Sequence, residues 1–212
     1  EQAMAAIEPV LQGAAAANLD LGTAADIATN VMSSFGLEAE NVTDIMQVMS
    51  SASASSPASM LEIGEALQLV GGDARSFGLT LEQTGAALAI MAQQGKRGSE
   101  AATTLRSVFT AMTATTENTS KAWDMVGSSL FDAEGNSRDF AVVLSEVKAG
   151  LEGLNAEDQA FVIQQLAGSY GRVGFNALLA SEGIDAMVGT MDEQADFMDV
   201  ARARMSTFNG MV

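Results

Sequence analysis

The sequence contains no cysteine and no histidine. Without cysteine there is no disulfide framework, no thiol nucleophile and no cysteine-ligated zinc or iron–sulfur site. Without histidine, the commonest general base and the commonest neutral metal ligand are missing too. Large aromatics are scarce, with nine Phe, one Trp and one Tyr in 212 residues. Strand signals are nearly absent, because no useful run alternates Val, Ile, Thr or Tyr with polar residues. The longest uncharged run, Ile45 to Leu61, is interrupted by serines and Pro57, so no transmembrane helix is read from it.

What remains is an apolar fraction of 48%, ordinary for a folded domain, so the acidity does not argue for disorder. Alanine supplies much of that fraction. The composition therefore predicts a thin helical core, in a chain long enough to bury one.

The formal net charge is −17, and it is unevenly spread. Residues 1–70 hold nine acids and no base, while residues 71–121 hold four acids against five bases. Residues 122–212 return to fourteen acids against five bases. Acidic ends repel phosphate over about a Debye length, roughly 8 Å at physiological salt. Specific nucleic-acid binding, which needs a basic footprint, is not expected. The chain opens Glu1-Gln2-Ala3 and closes within a helical pattern, so it is expected to be a piece of a longer protein.

Helix signals recur along the chain. Thr23 is the expected cap of a helix that places Ile27, Val31 and Phe35 on one face. Val42, Ile45, Met46 and Met49 repeat the spacing over 41–53. Ser56-Pro57 reads as the start of the next helix and Gly71-Gly72 as its end. Thr80 and Gln83 fit a capping box, and Ser99 is the expected cap after the Gly95–Gly98 break. Further helices are expected at 118–130, 138–151, 156–167, 171–181 and 184–204. Three Gly-Leu-x-x-Glu segments begin at Gly36, Gly78 and Gly153, each glycine a candidate left-handed helix terminator. Their separations, 42 and 75 residues, are too unequal for a solenoid repeat.

A single straight helix of this length would reach roughly 320 Å at 1.5 Å per residue. Twenty glycines forbid it. The expected architecture is an all-α, compact multi-helix domain of roughly eight to eleven short helices joined by Gly/Ser-rich turns. One domain over 1–212 is expected, with a candidate sub-boundary near 113–120.

Motifs that suggest chemistry do not hold. Gly95-Lys96 has Ile90 where a phosphate loop needs its first glycine, and Arg97 where it needs Ser or Thr. Gly168, Gly171 and Gly174 are wrongly spaced for a dinucleotide loop. Counting from Asp132 as a calcium loop, Gly135 falls fourth and Val143 falls twelfth, so Asp132–Asn136 reads as a tight turn. The acid groups Glu62/Glu65, Glu157/Asp158 and Asp192/Glu193/Asp196 lack any feature that would desolvate one member, as acid–base work requires. The methionines fall mostly at helical spacing and read as core filler. No catalytic residue, metal ligand or cofactor site is expected.

The stretch from Gly78 to Arg106, GLTLEQTGAALAIMAQQGKRGSEAATTLR, resembles the conserved domain of phage tail tape-measure proteins. Phe35-Gly36, Phe131-Asp132 with Gly135, and Leu166 to Tyr170-Gly171 support it in the same order. Ala102 stands where such proteins often carry Gly, and Tyr170 stands where Phe is usual. The motif residues so marked are Phe35, Gly36, Gly78, Leu79, Leu81, Gly95, Gly98, Leu105, Arg106, Phe131, Asp132, Gly135, Tyr170 and Gly171.

The resemblance implies a structural role rather than catalysis. Such proteins are long helical chains in the lumen of the tail tube, present in several copies, that set tail length and leave before the DNA. The expected partners are tail tube and tail tip proteins, tail-assembly chaperones and other copies of the chain. The expected location is the virion tail, after assembly in the host cytoplasm. Two alternatives differ in class: a membrane-active segment forming a conduit in the host envelope during ejection, and a cell-wall hydrolase module.

Overall fold

Helix ends are set by a small number of side chains, and these fix the architecture. The computed structural model describes residues 2–17 and 19–194, with side chains from Ile7 to Ala15 and from Leu19 to Gln194. The helices are α1 (Gln2–Ala17), α2 (Leu21–Phe35), α3 (Val42–Ala54), α4 (Met60–Ser76) and α5 (Leu81–Gln93). They continue with α6 (Gly98–Met112), α7 (Glu117–Val126), α8 (Phe140–Glu152), α9 (Ala156–Ala180) and α10 (Ile184–Asp192). A 3-10 turn, Ala39–Asn41, precedes α3. Among the described residues the fold is all-α, with one isolated bridge between Phe131 and Ser137. The part of the expected last helix beyond 194 lies outside the described residues.

The expected capping box at Thr80 is formed. The Gln83 N–H donates to Thr80 Oγ1 at 3.1 Å, and the Thr80 N–H donates to Gln83 Oε1 at 3.1 Å. Other expected starts move. Asp20, not Thr23, caps α2: its carboxylate accepts from the Thr23 N–H at 2.8 Å and from the Thr23 hydroxyl. Helix α4 begins after Ser59, three residues beyond Ser56-Pro57. Ser59 has Glu62 at the reciprocal position, and the Ser59 N–H donates to Glu62 Oε2 at 2.7 Å. Ser56 instead donates to the Ala52 carbonyl at 2.8 Å and helps close α3. Helix α6 begins at Gly98, so Ser99 lies in its first turn and does not cap it.

Glycines end helices less often than expected. Gly36 and Gly78 adopt the left-handed conformation, with φ of 67° and 75°, but Gly153 does not, at φ −82°. Gly71 and Gly72 lie inside α4, which runs on to Ser76. A Cβ on Gly71 would meet Phe35 Cε2 at 2.5 Å, so this glycine marks close contact between α2 and α4. Gly168 breaks α9, with φ 65° and ψ −179°, a region open only to glycine. The break divides α9 close to where the expected helices 156–167 and 171–181 part.

The centre of the fold is α5. From Thr84 to Ala92 every residue is buried, and α5 packs against α3, α4, α6, α9 and α10. A helix apolar on all sides belongs inside a larger assembly of helices. Its small residues allow the close approach: a Cβ on Gly85 would meet Val48 Cγ1 at 2.5 Å. The buried side chains form one continuous cluster from Val10 to Met191. Met46, Met49, Met60, Met91, Met112 and Met191 lie in that cluster and Met187 packs against it; Met198 lies outside the described residues.

Aromatics are few but concentrated. Phe109 of α6 stacks on Phe77 with ring centroids 4.3 Å apart, and meets Phe140 of α8 edge-on at 5.2 Å. This trio ties α6 to the α4–α5 turn and to the start of α8.

Candidate functional site

The residues singled out from the sequence do not converge on one site. Phe35 is buried at the end of α2, and Gly36 follows it beneath the Arg75 guanidinium. Leu79, Leu81 and Leu105 are core residues around α5 and α6. Gly95 and Gly98 bound the α5–α6 turn. Within that turn Arg97 donates to the Pro57 carbonyl at 3.1 Å, and Lys96 pairs with Glu100. The basic residues of the rejected phosphate loop thus have protein partners. Arg106 Nε meets Asp73 Oδ2 at 2.6 Å and links α6 to α4 at a half-exposed position.

The Phe131–Ser137 turn is organised by Asp132. Its Oδ1 accepts from the backbone N–H groups of Glu134 (3.0 Å) and Asn136 (2.8 Å), and Oδ2 accepts from the Asn136 amide at 3.1 Å. The Asn136 hydrogen bonds hold the Asp132 carboxyl below its ordinary range. Gly135 lies at the tip of this turn, where an added Cβ would have nothing among the described residues within 4 Å. The turn docks on α4, where the Ser137 hydroxyl donates to the Ser76 carbonyl at 2.9 Å. Gly78 faces the same segment, and a Cβ there would lie 3.3 Å from the Arg138 carbonyl.

Arg138 locks the loop to α8. Its guanidinium donates to both Glu146 oxygens, at 2.9 and 2.6 Å, and to the Ser129 carbonyl at 3.0 Å. The Ser128 hydroxyl donates to Glu146 Oε2 at 2.6 Å. Arg138 first, then Ser128, holds the Glu146 carboxyl below the usual carboxylate range.

The acid groups serve as helix-end chemistry. Glu62 is held low by the Ser59 backbone and hydroxyl that it caps. Glu157 and Asp158 occupy the first turn of α9, their N–H groups donating to Asn155 Oδ1 at 3.0 Å each. Asp192 and Glu193 are exposed at the end of α10, and Asp196 lies outside the described residues. Among the described residues no group of three or more Asp or Glu is placed to hold a metal.

One surface feature is not legible from spacing. The break at Gly168 leaves a groove of about 560 Å³ between α6 and the second half of α9. Gly171 and Gly174 bring these helices together, since Cβ atoms there would meet Val108 Cγ2 at 2.8 Å and Thr104 Cγ2 at 2.5 Å. Tyr170 stands at the groove edge with 86% of its surface exposed, and Val173 on the next turn is 49% exposed. Sequence reading places Tyr170 in a family motif without showing that it faces outward. The only available signal was the Gly168 interruption, which resets the helical phase.

Such an arrangement defines a structural helical domain: its marked residues mostly turn or pack helices, and the most exposed aromatic among the described residues edges a groove. The chain belongs to the phage-related minor tail protein family, which it matches over residues 1–168. It is also similar to a tape measure protein of Pneumococcus phage Dp-1, with 31% identity over 190 residues. That alignment takes in 89% of this chain and 16% of the relative, so the chain spans about one sixth of the relative's length. No solved structure matches the chain. Family and relative together make it a phage tail component, a structural protein of the virion tail.

Proposed function

We propose that the chain is the folded helical region of a tape-measure protein that sets tail length, occupies the tube lumen and departs during DNA ejection. The observation that carries this reading is the similarity to a tape measure protein across 190 residues. An all-helical fold with an acidic surface is compatible with a channel that DNA must later traverse without sticking. In this role the domain acts as one unit over 1–212, beside extended segments that do the measuring. Its partners are tail tube and tip proteins, tail-assembly chaperones during assembly in the host cytoplasm, and other copies of itself. Among the motif residues, Phe35 and Gly171 serve helix packing in that unit, and Gly36 and Gly78 serve its turns. No helix of the described residues is long and apolar enough to cross a membrane.

Protease protection tests the placement. In purified virions the peptides of this segment resist added protease, and after triggered ejection they are lost from the emptied tails. Digestion of the segment in intact virions, or its retention in emptied tubes, contradicts a luminal location and release. The isolated chain is expected not to retard duplex DNA at physiological salt.

A further inference from the structure

Across Gly168 the buried face of α9 changes register. In an unbroken helix Tyr170 and Val173, one and two turns beyond Leu166, would continue the buried stripe of Val162 and Leu166. They are instead 86% and 49% exposed, and the residues that follow each, Gly171 and Gly174, are the buried ones. The stripe thus slips by one residue, at a glycine whose backbone angles other residues do not adopt.

The two halves of α9 also have different neighbours. On the first half, Phe161 lies under the Lys121 ammonium of α7 at 5.3 Å. Gln159 donates to the Leu151 and Leu154 carbonyls at the end of α8, at 2.9 and 3.0 Å. On the second half, Gly171 lies on Val108 of α6, and Gly174 on Thr104 of α6 and Met91 of α5. Residues 117–167 therefore form a lobe of α7, α8 and the first half of α9, inserted in the chain between two connections. One connection is 113–116, after α6, and the other is Gly168. They run side by side: a Cβ on Gly168 would lie 3.4 Å from Ala111 Cβ, and Ala111, Ala114, Ala167 and Gly168 line one groove.

We infer that Gly168 and residues 113–116 form a hinge, on which the lobe swings between the bent arrangement and one with α9 continuous. Straightening α9 returns Tyr170 and Val173 to the face of Val162 and Leu166, while Gly171 and Gly174 keep the second half on α6. The groove is the cleft of this hinge. Away from the axis the lobe is latched by the Phe140 ring on Phe109 and by two exposed hydrogen bonds. Ser137 donates to the Ser76 carbonyl at 2.9 Å, and Lys148 to the Ser181 carbonyl at 2.8 Å. Both lobes remain parts of one folded unit, and the hinge is independent of where in the tail that unit sits.

The chain has no cysteine, so introduced cysteines carry spin labels at known sites. Three pairs at exposed positions are measured by pulsed dipolar spectroscopy in the 212-residue chain. Ala160→Cys with Asn176→Cys lies within α9, Ser99→Cys with Glu152→Cys spans the hinge, and Asp26→Cys with Ser99→Cys lies outside the lobe. Gly168→Ala disfavours the break and favours helix. In it the α9 pair is expected to move to the span of an unbroken helix, roughly 24 Å at 1.5 Å of rise per residue. The pair across the hinge moves too, and the pair outside the lobe stays. Ser137→Ala with Lys148→Ala, which opens the exposed latch and keeps Gly168, is expected to add the same second distance to both moving pairs. Unchanged distances in Gly168→Ala, or a shift of all three pairs together, overturn the inference. Should Gly168→Ala not fold, the latch variant decides, and a single unshifted distance there overturns it.

Discussion

Gly150 of α8 lies directly against the backbone of Val126 at the end of α7. A Cβ on Gly150 would meet the Val126 carbonyl oxygen at 2.5 Å and its Cα at 2.7 Å. Backbone cannot swing aside as a side chain can, so a methyl group there forces α7 and α8 apart. Gly150→Ala is expected to destabilise the fold by about 1–3 kcal/mol, as overpacking generally does. Gly189 in α10 is the opposite case, with nothing among the described residues within 4 Å of its added Cβ. Gly189→Ala is expected to stabilise by about 0.4–1 kcal/mol through reduced freedom of the unfolded chain. Urea unfolding of both variants, at unchanged slope, checks the pair of signs.

Ser59 and Thr80 are the hydroxyl caps of α4 and α5, each with a reciprocating partner three residues on. Ser59→Ala and Thr80→Ala are each expected to cost about 1 kcal/mol. Replacing Pro57-adjacent Ser56 by Ala should leave the start of α4 unmoved, because Ser56 bonds back to Ala52. Amide hydrogen exchange in the first turn of α4 distinguishes the two serines.

Phe109 is almost wholly buried between Phe77 and Phe140. Phe109→Ala is expected to cost about 3–5 kcal/mol, the range for emptying a core aromatic site. Near-ultraviolet dichroism together with thermal unfolding would show the loss.

Glu146, Glu62, Asp20 and Asp132 all titrate below their ordinary range, each through hydrogen bonds made only in the fold. A depressed carboxyl pKa adds stability that is fully present above the unfolded value, about 4. That stability fades as pH falls through the lower folded value. The domain is therefore expected to weaken as pH falls below about 4, with little change from pH 6 to 8. In Glu146→Gln part of this acid dependence should disappear, at the cost of a less stable protein at neutral pH. Thermal midpoints across that range provide the measurement.

Much of the helical plan was legible because caps and breaks have local chemistry. Thr80 with Gln83 is complete within four residues, and the interruption at Gly168 matches a gap already visible in the apolar spacing. The errors share a cause: glycine and serine each have two uses. Gly71 looks like a terminator but is a contact residue against Phe35, which only the approach of α2 and α4 reveals. Ser56-Pro57 outweighed Ser59 with Glu62, although the reciprocal glutamate was the stronger signal. Beyond the interruption at Gly168 the groove was not legible, because Tyr170 and Thr110 are far apart in sequence and line one groove only through the packing of Gly171 on Val108.

Encasing α5 has a mechanical corollary. Five neighbours share one hub, so none of them can peel away without wetting it. Under tension α5 and the five helices packed on it should yield together, paying out their length in a single release rather than unravelling helix by helix.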